Sequence, residues 1–101
     1  MIIVIVTFKI SLDITEAKLK EKFMESSELY KNTRGLTRKN YLSDINNNIA
    51  GGVYHFDTLE NAQNWFDDER IDWLTQRYSK PKINFYDNPI VIDNISQEII
   101  S

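Results

Sequence analysis

The chain begins with a nearly unbroken apolar, β-branched run, IIVIVTFKI (2–10), too short for a comfortable helix and well suited to a pleated surface. It predicts a central strand buried on both sides, with Ile3 and Ile5 on one face and Val4, Val6 and Phe8 on the other. The pattern then turns helical. Leu19, Phe23 and Tyr30 share one stripe, with Ser26 and Ser27 as small residues in the same seam. Asp13 followed by Glu16 predicts a capping box at the start of this helix, and Gly35 a stop at its end.

Strand character returns in LTRKNYL (36–42) and AGGVYHF (50–56). Between them lies the polar SDINNN (43–48), whose residues tolerate left-handed conformations, so the three segments predict a hairpin. Asp57 and Glu60 repeat the capping-box pattern ahead of Leu59, Ala62, Phe66 and Trp73 at helical spacing. Trp65, Ile71, Leu74 and Tyr78 widen that apolar surface, and the pattern leaves open whether the helix continues through DDERID (67–72). KPKINFYDNPIVID (80–93) alternates Ile83 and Phe85, bends at Asn88-Pro89, and resumes at Val91. A strand, a kink and a short second strand or tail are expected, with Pro89 at an edge or bend because it cannot donate to a ladder.

The resulting order, β-α-β-β-α-β, is α+β and ferredoxin-like, with a four-stranded antiparallel sheet, and no linker or repeat divides residues 1–101, so one domain is expected. The two helices cover one sheet face. The other face also carries apolar side chains, and pairing two sheets face to face in a homodimer would cover it. The segment after Pro89 is a second candidate for that interface.

Composition narrows the functional classes. With 42% hydrophobic and 12% aromatic residues, the chain has the content of a folded protein. A net charge of −3 argues against nucleic acid, and Glu16 and Glu21 interleave with Lys18, Lys20 and Lys22, so that stretch reads as a solvated helix face. The absence of cysteine removes disulfides, thiolate metal sites and thiol nucleophiles, and a single histidine leaves no metal site beyond one built on carboxylates and carbonyls. The apolar opening lacks a basic start and is too short to span a bilayer, so a soluble cytoplasmic protein without membrane association is expected.

Three segments, RGLTRKNYL (34–42), NNIAGGVYHFDTLENAQNWF (47–66) and INFYDNPIVID (83–93), resemble the YdhR-type monooxygenases of the dimeric α+β barrel superfamily. The most specific element is Ala50-Gly51-Gly52-Val53-Tyr54. A second is Gly35-Leu36 followed by Lys39 and an aromatic, here Tyr41 where the family tends to have Trp. The resemblance implies the ferredoxin-like dimeric fold and oxygenation of a small aromatic or polyketide-like compound without a cofactor. Such chemistry needs a site that removes a proton from an acidic phenol or enol, excludes water, and holds the electron-rich anion while O₂ accepts its electrons. A ligand-binding or stress-related homodimer without catalysis is the alternative on the same scaffold. Haem binding or degradation, known in the superfamily, is a third.

Candidate residues follow from chemistry, and each has an ordinary packing role as its alternative. His55 is the sole side chain with an unperturbed pKa near neutrality and so a candidate base, although the family usually has an apolar residue there. Tyr54, beside the glycines and on the opposite strand face from His55, is the other catalytic candidate. Lys39 and Tyr41, two apart and therefore on one sheet face, offer an ammonium and a phenol to a substrate anion; otherwise the lysine stem simply covers the tyrosine. Trp65 and Trp73 would share a face of a continuous helix and clamp a planar ring, with Phe66 and Phe23 as further aromatic walls; otherwise all four are core. Gly51-Gly52 invites close approach by a helix, partner chain or ligand, with a bulge as the alternative. Asp67, Asp68 and Glu69 point different ways on a helix and read as a solvated face rather than a metal site.

Overall fold

The computed structural model describes residues 1–101. Strand β1 (Ile2–Lys9) lies at the centre of a four-stranded antiparallel sheet, flanked by β3 (Ile49–Phe56) and β4 (Lys82–Asp87), with β2 (Leu36–Asp44) outside β3. The order β2-β3-β1-β4 is the ferredoxin-like arrangement expected from the sequence. Helix α1 (Glu16–Lys31) joins β1 to β2, and α2 (Leu59–Trp65) and α3 (Asp68–Arg77) join β3 to β4. A 3₁₀ turn over Ile45–Asn47, ended by left-handed Asn48, closes the β2–β3 hairpin within the polar stretch predicted to turn.

The alternation of β1 is resolved as its residues dictate. Ile2, Val4, Val6 and Phe8 are buried under the helices with Leu19, Tyr30, Ala50, Tyr54, Phe56, Ala62, Phe66 and Leu74. The opposite face presents half-buried Ile3, Ile5, Val53 and His55, with Leu42 and Tyr86 exposed around them.

Both helix starts sit one or two residues later than the capping boxes predict. Thr15, not Asp13, caps α1 by accepting the Lys18 N–H at 3.1 Å. Thr58, not Asp57, caps α2 by accepting the Asn61 N–H at 3.1 Å. An N-cap needs an extended backbone, which the β-branched threonine favours, and in each case the threonine is nearer the first helical residue than the acid. Gly35 lies beyond the end of α1, whose C-cap is Asn32, and turns the chain at φ +80° into β2.

The second helical region is broken. The chain leaves α2 at Phe66, and Asp67 caps α3 by accepting the Arg70 N–H at 2.8 Å. Asp68 and Glu69 then occupy the first turn of α3, where the helix dipole favours acids. The acidic run is therefore a helix start.

Beyond Pro89 the chain forms a separate hairpin, β5 (Val91–Asp93) and β6 (Glu98–Ile100), where the sequence suggests only a short strand or tail. The Asp93 carboxylate turns it by accepting the Ile95 and Ser96 N–H groups at 3.0 and 3.2 Å. Its ladder does not join the main sheet, and Ile90, Ile92, Ile95, Ile99 and Ile100 are all exposed. No helix is long and apolar enough to cross a membrane.

Candidate active site

The site is built where the β2–β3 hairpin passes under α1. The register pairs Lys39 with Tyr54 and Tyr41 with Gly52, so all three side chains point at the helix face. Tyr30, near the end of α1, descends onto them. The Lys39 Nζ consequently lies 3.2 Å from the Tyr30 ring centre, 3.9 Å from that of Tyr41 and 4.6 Å from that of Tyr54. Three aromatic faces thus surround one amine, and no carboxylate pairs with it.

The two glycines of β3 have different jobs. A Cβ at Gly52 would stand 3.1 Å from Lys39 Cε and 3.2 Å from the Tyr54 ring, so its absence makes room for the lysine stem. A Cβ at Gly51 would strike the Val6 carbonyl of β1, so that glycine serves the close passage of the sheet's own backbone. The approach is made by neighbouring strands and a side chain within the sheet. The irregularity of the hairpin lies on β2, between Leu36 and Arg38.

Hydroxyl groups fix the rings. The Tyr30 and Tyr54 hydroxyls are 3.2 Å apart. Ser26 gives its proton to the Phe23 carbonyl at 3.0 Å, which leaves its oxygen to accept from the Tyr41 hydroxyl at 2.9 Å. Phe23 stacks on Tyr41 at 4.5 Å between ring centres and completes the wall.

Burial sets the protonation states. Lys39, desolvated and without an anionic partner, is pulled down from 10.5 to about 6. The same desolvation pushes Tyr30 up to about 12, holds Tyr54 well above the usual phenol value, and raises Tyr41. At neutral pH the cage therefore holds an amine that is mostly uncharged among phenols that keep their protons. Its ring faces are placed to stabilise an ammonium once a proton arrives.

The cage opens on solvent. A cleft of about 350 Å³ runs between the end of α1 and β2, lined by Lys39, Tyr30 and Tyr41, with Glu28, Lys31 and Arg38 among its charged residues. Behind the amine, toward Trp73 and Phe23, lies a void of only about 10 Å³. No three His, Asp or Glu side chains gather to hold a metal ion.

The structure brings together Lys39, Tyr41, Tyr54, Phe23 and Trp73 from the sequence candidates, and separates the others. His55 projects from the opposite sheet face, across from Arg38 in the register, and burial and that arginine lower its pKa. Tyr54 and His55 therefore cannot act on one substrate on one face of this chain. Phe66 is buried core against Tyr54 and Phe85. With α2 and α3 separate, Trp65 and Trp73 do not form an open clamp. The Arg70 guanidinium lies against both, with its Cζ 4.0 Å from the Trp65 ring and 5.1 Å from the Trp73 ring. Trp65 Nε1 is buried there without a hydrogen-bond partner. Tyr30, which the sequence places only on the apolar stripe of α1, lies closest to the amine. Its helical stripe points it at the sheet, but only the packing of α1 over the hairpin brings it to Lys39.

No family model matches the chain, and no curated protein does. Solved structures do. A candidate antibiotic biosynthesis monooxygenase from Deinococcus radiodurans superposes with a TM-score of 0.66 at 19% identity, covering 92% of this chain and 97% of that one. A mutant of MhuD with two manganese protoporphyrin IX molecules bound per active site gives 0.71 at 13% identity over 93% and 100%. A mutant of SnoaB, a cofactor-independent oxygenase from Streptomyces nogalater, gives 0.63 at 10% identity over 86% and 91%. The chain thus has the fold of the antibiotic biosynthesis monooxygenase-like proteins. At these identities the likeness concerns the fold.

Proposed function

We propose that this protein is a cofactor-free monooxygenase acting on a small aromatic or enolisable compound at the cleft between α1 and β2. One observation carries the reading: Lys39, its amine unpaired and ringed by tyrosines, is among the residues that line an open cleft. The resemblance to YdhR-type monooxygenases and the shared fold with SnoaB support it.

In this mechanism Lys39 Nζ takes the acidic C–H or O–H proton of the bound substrate. The ammonium so formed is held by the faces of Tyr30, Tyr41 and Tyr54 and stays beside the anion it created. The anion passes an electron to O₂, and recombination of the resulting pair forms a C–O bond. At a methylene carbon, loss of water then leaves a carbonyl, so that CH₂ and O₂ give C=O and H₂O with no external reductant. Protonated Lys39 returns its proton to the departing oxygen. The aromatic walls hold the ring, and the burial that keeps the amine neutral also strengthens its attraction for the anion.

The second copy belongs to the same reading. The uncovered sheet face and the apolar β5–β6 hairpin fit a homodimer packed sheet to sheet, with the hairpin lying on the partner.

Oxygen uptake by metal-free protein, with a panel of anthrone-like and acidic phenolic substrates, tests the proposal. Consumption above buffer that disappears in Lys39→Met supports it, and no consumption across the panel counts against it. Haem degradation has the MhuD likeness behind it, but His55, the only imidazole, faces away from the cleft. A flat Soret titration would remove that reading.

A further inference from the structure

We propose that Lys39 is also a carbonyl-capturing site, condensing with planar aromatic aldehydes in the cleft between α1 and β2 to form an imine. This goes beyond oxygenation and requires neither O₂ nor turnover.

The case is geometric. Lys31 and Lys39 both line the cleft without an ion pair, and of the two it is Lys39 whose amine lies against aromatic rings. Lys18 is paired with Glu21 at 3.4 Å, and Lys22 donates to the Arg77 carbonyl at 3.4 Å. Lys9, Lys20, Lys31, Lys80 and Lys82 are exposed. Lys39 is partly buried and lines the cleft alongside Tyr30 and Tyr41.

The groups facing the amine suit the reaction. From α1 come Tyr30 and, at the cleft wall, Glu28 and Lys31; from β2, Tyr41; from β3, Tyr54; and from α3, Arg70 acts on Tyr30, while Arg38 lies across from His55. The Nζ lone pair attacks the carbonyl carbon, and the nitrogen proton moves to the carbonyl oxygen. The carbinolamine then loses water to leave a C=N bond. The remaining N–H proton leaves with the carbinol hydroxyl as water, so the exchange balances without another group.

The test is reductive trapping with 4-formylbenzoate and cyanoborohydride near pH 7 under nitrogen, read by peptide mass spectrometry. Lys39 should be labelled at least about tenfold faster than any of the seven other lysines, and Lys39→Arg should lose only this fast labelling. Labelling that follows surface exposure, with Lys39 among the slowest, overturns the proposal. Should Lys39→Arg fail to fold, the unmodified protein decides. Between about pH 7 and 9 the Lys39 rate should be nearly flat, and a Lys39 rate that rises roughly tenfold per unit is the contrary result. Because the experiment is anaerobic, oxygenation can fail while capture succeeds, and the reverse.

Discussion

Lys39 Nζ sits 3.2 Å from the centre of the Tyr30 ring, an amine on an outer strand closed over by the last turn of a helix. The contact joins the two elements that border the cleft, so it concerns stability and chemistry together.

Its stability consequence has a definite sign. Lys39 titrates at about 6 in the folded protein and near 10.5 when unfolded, so the unfolded chain binds the extra proton between those values. Stability from this group should therefore rise with pH from about 6 toward 10, by at most about 1.4 kcal/mol per unit, and level off below about 6. Denaturant melts of wild type and Lys39→Met across that range check this. The variant should lose the slope and be the more stable near pH 6, and parallel curves would show that Lys39 titrates normally.

Separate faces for Tyr54 and His55 make their roles separable. Tyr54→Phe removes one hydroxyl from the Tyr30 pair at 3.2 Å and should cost about 1–2 kcal/mol in stability. It should also lower turnover of any substrate found. His55→Gln, on the uncovered face, should leave turnover within about twofold. Steady-state kinetics with both variants compare them, and a large loss in His55→Gln alone would move the site to the other face.

The adjacent glycines should respond differently to alanine. Gly51→Ala drives a methyl into the Val6 carbonyl and should destabilise the fold by about 3 kcal/mol or more, since backbone must move. Gly52→Ala meets Lys39 Cε at 3.1 Å and the Asn40 carbonyl at 3.2 Å, a milder crowding that should cost about 1–2 kcal/mol while displacing the amine. Thermal melts with circular dichroism rank them, and equal losses would contradict the division of labour.

The half-buried Ile3, Ile5 and Val53 and the exposed isoleucines of the β5–β6 hairpin predict self-association. Sedimentation at micromolar concentration should give a dimer, and a chain ending at Asn88 should dissociate at least about tenfold more readily. A stable monomer in both cases would exclude this use of the two surfaces.

Much of the fold was legible because its signals are local. The β-branched run of β1, the Asn-rich turn and the helical spacing of Leu59, Ala62 and Phe66 each specify an element through its own periodicity. The break after Phe66 was hidden because Asp67 serves equally as an exposed helical acid or a cap. The return strand β6 was hidden because EII is short, although Asp93 and Asn94 ahead of it are turn residues. At the site, counting back from the hairpin turn would have set Lys39 opposite Tyr54. Tyr30 and Arg70 depend on helix packing, which no short-range pattern encodes. The sole histidine drew attention by its intrinsic pKa, whereas burial moved a lysine into the same range.

The state of the Lys39 amine is the central claim, and NMR titration of protein labelled with ¹³C at lysine Cε measures it directly. One resonance, absent from Lys39→Met, should titrate at about 6. Eight resonances all titrating near the ordinary lysine value would contradict it, leaving Lys39 a permanent ammonium in its tyrosine cage and no base in the cleft.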